Sequence, residues 1–84
     1  MTGILLYDDT QNRFVVQPIE GGILDETKNV TELHCGDCLT IQVKRDDWRK
    51  TRIELVNDDP IFGWHLIGIG RAAPLIGHTV LLDD

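Results

Sequence analysis

"CLTIQVK", residues 38–44, decides the fold. In an extended chain Leu39, Ile41 and Val43 fall on one side and Thr40, Gln42 and Lys44 on the other, the pattern of a strand with one buried face. A helix would need apolar residues three and four apart, and no window of the chain holds that repeat. Toward the C-terminus the period of two continues. "RDDWRK" (45–50) reads as a turn and "TRIELV" (51–56) as the returning strand, with Ile53 and Leu55 set to face Leu39, Ile41 and Val43. "NDDP" (57–60) turns again, and "IFGWHLIGI" (61–69), apolar on both faces, is predicted to be a central strand with Trp64 in the core. After "GRAAP", "LIGHTVLL" (75–82) is the last strand, ahead of an Asp83–Asp84 end expected to fray.

Toward the N-terminus, "EGGILDETKNVTE" (20–32) has two glycines, four carboxylates and no regular apolar period, so it reads as a loop with room for one helical turn. "FVVQPI" (14–19) is a strand that Pro18 confines to an edge or a strand end, because proline has no N–H to give a ladder. "DDTQNR" (8–13) is a turn, and "ILLY" (4–7) the first strand. The 84 residues therefore form a single domain, 1–84, of mostly β class. A domain this small buries about 60–65% of the surface of its unfolded chain. Without helices to cover a flat sheet, five or six short antiparallel strands are expected to curl into a small SH3-like barrel.

A composition of 42% hydrophobic and 26% charged residues is that of a folded chain, and excludes an intrinsically disordered one. Fourteen acidic against eight basic side chains give a net charge of −6. Lys44, Arg45, Arg49, Lys50 and Arg52 crowd into residues 44–52 with only Asp46 and Asp47 for company. That segment is positive in a chain otherwise strongly acidic, so general nucleic-acid binding is not expected and a protein partner carrying a positive groove is. The N-terminus "MTGILLYDD" lacks a basic leader and a long apolar core, and no run approaches the roughly 20 apolar residues of a membrane span. These features point to a cytoplasmic protein with no membrane partner, in which thiols stay reduced.

"LHCGDC" (33–38) concentrates the chemistry. As a thiol enzyme it is poorly equipped, because neighbours in a strand project oppositely and His34 is badly placed to take the Cys35 proton. As a redox pair, Cys35 and Cys38 lack the following helix whose N-terminus would stabilise a thiolate. As half of a zinc site, "CGDC" can turn both sulfurs toward one ion, with His78 and His65 the favoured completing ligands on returning strands. As a structural turn, Gly36 would supply a positive φ, Asp37 would bond nearby amides, and the cysteines would act as small apolar residues. Zinc and the bare turn both remain open.

Trp48 beside Arg45 and Arg49 has the composition of a binding hot spot, an indole with cations around it; the alternative is an indole folded back to cap the barrel. Asp46, Asp47, Asp58 and Asp59 at turns complete the expected partner-binding set. The same basic residues interleaved with an aromatic could hold single-stranded nucleic acid only weakly on so acidic a body.

The series "GILLYDD" (3–9), "RF" (13–14), "LHCGDCL" (33–39), Trp48, "TRIE" (51–54) and "WHLIG" (64–68) resembles a family of short bacterial proteins of unknown function, often carried by phages, plasmids and other mobile elements. The resemblance runs from Gly3 to about Gly68 and supplies no catalytic residues. It implies a setting in which small acidic proteins act against host defence. With the charge it yields an expected function: a non-catalytic inhibitor of a nucleic-acid-handling defence enzyme, anti-CRISPR-like, binding a Cas effector. The alternatives are a zinc-stabilised interaction domain without inhibitory role and, third, a thiol or redox protein.

Overall fold

The computed structural model describes residues 1–21, 23–24, 29–59 and 61–82. The chain opens with a hairpin of β1 (Thr2–Asp8) and β2 (Arg13–Glu20). Its turn is closed by Asp8, whose Oδ1 accepts from the Thr10 amide at 3.0 Å and the Thr10 hydroxyl at 2.6 Å. Leu5 lies opposite Val16 and Tyr7 opposite Phe14.

The expected loop 20–32 holds two short strands, β3 (Ile23–Leu24) and β4 (Thr31–Glu32), both paired with β2. β4 pairs with Val15 and Val16, β3 with Ile19 and Glu20, and Pro18 falls in the gap between them. The missing proline N–H is thus placed where the outer ladder is interrupted. The expected helical turn and the Asp83–Asp84 end lie outside the described residues.

β5 (Cys38–Lys44) and β6 (Asp47–Leu55) form the second hairpin. Only Arg45 and Asp46 turn; the remainder of "RDDWRK" is strand, and a bulge at Val43 absorbs the mismatch between Gln42–Trp48 and Lys44–Asp47. Thr51 and Ile53 face the core, but Leu55 is exposed, contrary to the alternation. The apolar run 61–69 is not one central strand. It breaks into a turn, the three-residue β7 (Trp64–Leu66) and a second turn before β8 (Gly70–Arg71). A 3-10 turn (Ala73–Leu75) then precedes β9 (Thr79–Leu81).

The strand order is β3-β2-β1-β9-β5-β6-β7-β8, with β4 on β2, every pair antiparallel. Among the described residues nine strands stand where five or six were expected, and β9 holds the middle while β7 lies next to one end. The ladder path is open, so a closed barrel is not what the strand pairs form. Leu5, Phe14, Ile41, Ile53, Leu66 and Val80, all at 0–1% exposure, form the heart of the core. No described helix is long and apolar enough to cross a membrane.

Residues 33–37 span the gap between the two halves of the sheet. The Leu33 amide donates to Phe14 of β2 at 3.0 Å, while the Gly36 amide donates to Ile53 of β6 at 2.7 Å and the Ile53 amide to Asp37 at 3.0 Å. The chain itself, not a ladder, thereby ties β2 to β6.

Candidate functional site

The "LHCGDC" segment is a hydrogen-bonded turn. The Asp37 amide donates to the His34 carbonyl at 2.9 Å, the His34 amide donates to Asp37 Oδ2 at 2.8 Å, and Gly36 has φ 95°. A side chain at that φ would be strained, which is why glycine stands there. The two cysteines are free thiols, and both are exposed. Cys35 Sγ–H donates to Glu54 Oε2 at 3.0 Å, and Sγ accepts from the Leu55 amide at 3.4 Å.

The four expected zinc ligands are not assembled: among the described residues no three His, Cys, Asp or Glu side chains converge to hold an ion. Cys35 is engaged with β6. His78 Nδ1 lies 2.8 Å from the Gln42 carbonyl, four positions along β5 from Cys38, which in a strand is about 13 Å. A carbonyl only accepts, so Nδ1 carries the proton there. His65 is a half-buried member of β7, opposite Glu54 and Arg71. His34 lies 3.5 Å from Asp37 and 3.8 Å from Glu32.

The expected partner-binding set divides in two. Trp48, 42% exposed, projects from β6 and does not cap the core. Asp47 and Arg49 are occupied with each other through Nε–Oδ1 at 3.2 Å and Nη2–Oδ2 at 3.0 Å. The Arg45 carbonyl takes the Gln42 side-chain amide at 2.5 Å, and Arg45 and Asp46 form the exposed hairpin tip. Asp58 and Asp59 lie past the far end of β6, whose last residue, Leu55, is seven positions and about 23 Å along the strand from Trp48.

At that far end the rings of Tyr7, Phe14 and Trp64 are stacked edge to face, with centroids 5.0 and 6.4 Å apart, which brings the β1–β2 turn near Asp59 and the residues just before Trp64. Burial, then the charges of Asp9, Asp59 and Asp8, push the Tyr7 hydroxyl pKa up, so three carboxylates share one neighbourhood. Arg13, opposite Asp8, and Arg71 are the cations nearby. Among the acids Val56, Ile61 and Phe62 are exposed, Phe62 with the Arg71 guanidinium 5.8 Å from its ring centroid. The turn that lifts these side chains is built by acceptors: Asn57 Oδ1 takes the Asp59 amide at 2.8 Å, and Asp59 Oδ1 takes the Phe62 amide at 2.7 Å and the Ile61 amide at 2.9 Å. Sequence reasoning missed these side chains because Val56 was read as the end of strand 51–56 and Ile61 and Phe62 as the start of strand 61–69. The available signal was "NDDP", whose Asx acceptors organise the residues after it.

The Phe62 and Ile61 amides, with Arg71, hold the Asp59 carboxyl below the usual carboxylate range. Asp8 is lowered chiefly by the Thr10 hydroxyl, Asp47 by Arg49 and Glu54 by the Cys35 thiol. A lowered folded-state pKa favours the native state above the unfolded value and loses that contribution as pH falls through the folded value. The urea midpoint is therefore expected to hold between neutrality and about pH 5, then fall below about pH 4, where unfolded-state carboxyls protonate first. In Asp59→Ala the fall should be shallower. Amide titration of Ile61 and Phe62 by NMR would report the Asp59 step directly.

The fold and these surfaces define a small antiparallel β protein that displays acids and apolar side chains on loops. The chain belongs to the DUF5348 family, a domain of unknown function, whose family model matches residues 3–81. No curated protein and no solved structure matches it.

Proposed function

We propose that this chain is a non-catalytic binding protein that docks its acidic loop end against a cationic surface of a protein partner. The observation that carries the reading is the gathering of Asp8, Asp9 and Asp59 near Tyr7 beside exposed Ile61 and Phe62. Acids steer association with a positive groove, and an exposed aromatic supplies the apolar anchor that charge alone lacks. A nucleic-acid-handling defence enzyme offers such a groove, so inhibition of a Cas effector is the narrower form of the proposal. The small SH3-like barrel remains the narrower architectural form, favoured by the 33–37 segment that ties β2 to β6.

The test is target cleavage by a Cas effector with the protein in excess. Inhibition is expected, with Phe62→Ser weakening it by about 30-fold, the effect of losing a hot spot of about 2 kcal/mol, and Trp48→Ala leaving it unchanged. Cleavage that proceeds unaltered would remove the inhibitor reading.

A further inference from the structure

Of the cations in residues 44–52, Lys50 and Arg52 are placed together by the strand register. In β5, Leu39 and Ile41 face the core, so Cys38 and Thr40 face outward; in β6, Thr51 and Ile53 face inward and Lys50 and Arg52 outward. Cys38 lies opposite Arg52, Thr40 opposite Lys50, and Thr40 opposite Leu81 on its other side. The result is a groove of about 370 Å³ with Thr40 in its floor, Lys50 and Arg52 on one wall, and Leu81 on the other, with Ile67 at its edge. Among the described residues no carboxylate lines it. Lys50 forms no ion pair among the described residues, and Arg52 is held in place by Glu54 at 2.7 Å from its Nε. Ile67 and Leu81 are exposed although large and apolar.

We propose that this groove, built from strands and not from the loops of the acidic end, is a second binding site for an extended acidic peptide segment of a partner protein. Lys50 and Arg52 are successive outward positions of one strand, about 6.8 Å apart. Acidic side chains at i and i+2 of an extended peptide have the same spacing, so a segment laid parallel to β6 can direct two carboxylates to the two cations. Its intervening side chains then point to the opposite wall, where Leu81 favours an aliphatic residue. The chemistry selected is an alternation of acidic and aliphatic residues. A nucleic acid is the poorer fit, because its affinity grows with the number of phosphates neutralised and two cations on a molecule of net charge −6 neutralise few.

The experiment is an NMR titration of the intact, isotope-labelled chain with a short synthetic peptide alternating Glu and Val, at low salt. Shifts are expected at the amides of Thr40, Lys50, Arg52 and Leu81. The peptide should bind at least about tenfold more weakly to Lys50→Glu, and a Lys–Val peptide should bind Lys50→Glu better than the original chain. Both substitution site and peptide charge are exposed to solvent, so the amide spectrum of Lys50→Glu also certifies its fold. Equal binding of a Gln–Val peptide, absence of shifts at the groove, or tighter binding of oligothymidylate would each overturn the proposal, the last by making the groove a nucleic-acid site.

Discussion

Phe14→Ala is expected to lower the unfolding free energy by about 3–5 kcal/mol, the usual loss when a fully buried phenyl ring is removed. Phe14 has no exposed surface, and its ring meets Tyr7 at 5.0 Å and Trp64 at 6.4 Å, both edge to face. Its backbone carbonyl also holds Leu33, where the chain leaves β2 for β6, so the cavity would open beside the link between the halves of the sheet. At about 0.05–0.15 kcal/mol per residue, 84 residues supply on the order of 4–13 kcal/mol in total. The substitution thus removes a large part of the stability. Since 1 kcal/mol moves Tm by about 4–8 °C in a domain of this size, thermal unfolding should shift down by at least about 12 °C. Phe14→Leu, which keeps most of the volume, should lose distinctly less. Equal, small losses for both would mean that the ring does not organise the core.

The alternation that identified β5 was legible because a strand with one buried face displays its period in the side chains. β6 was legible in part for the same reason, whereas β1 and β2 were legible from the turn "DDTQNR" between two apolar runs. Where the period misled, tertiary context decided. The run 61–69 is apolar on both faces, which matches a doubly covered strand, yet Ile61, Phe62 and Ile67 are on turns and exposed. β3 and β4 are two-residue strands, too short to carry any period, and exist because β2 has a free edge on either side of Pro18. Barrel closure was inferred from the need to cover apolar surface; the sheet meets that need along an open path, with segment 33–37 crossing the gap.

For the site, Gly36 and Asp37 were readable as turn residues because local backbone geometry dictates their type. The sulfurs were not, since what Cys35 and Cys38 face depends on strand register: one meets Glu54, the other lies across from Arg52. The acidic pairs looked alike in sequence. Yet Asp59 and Asp8 hold turns through their own oxygens, Asp47 is matched by Arg49, and Asp46 and Asp58 are exposed in turns. Charge counted along the chain did not show that Lys50 and Arg52 would line a strand-built groove while Asp8, Asp9 and Asp59 gather at loops.

Gly63→Ala should be the most damaging single-methyl change in the acidic end. Gly63 φ is not positive, so the demand for glycine there is one of space. A Cβ would stand 2.5 Å from the Asp59 carbonyl oxygen, and 2.7 Å from both the carbonyl and the side-chain oxygen of Asn57. Two of these are backbone atoms that cannot swing aside. The Gly63 amide donates to Asp59 at 3.1 Å and its carbonyl accepts from Val56 at 2.8 Å, so the neighbours are fixed from both sides. Overpacking of this kind typically costs about 1–3 kcal/mol, and opening the turn would also release the amides of Ile61 and Phe62 from Asp59. Gly36→Ala is the instructive contrast. Nothing lies within 4 Å of a Cβ at Gly36, and its φ of 95° alone opposes the change, for about 1–2 kcal/mol. Urea denaturation should rank Gly63→Ala at or below Gly36→Ala in stability, while only Gly63→Ala displaces the Ile61 and Phe62 amide resonances. Because those two residues carry the apolar part of the proposed interface, Gly63→Ala should also weaken partner binding at temperatures where the chain is still folded, which separates a displaced loop from a lost fold.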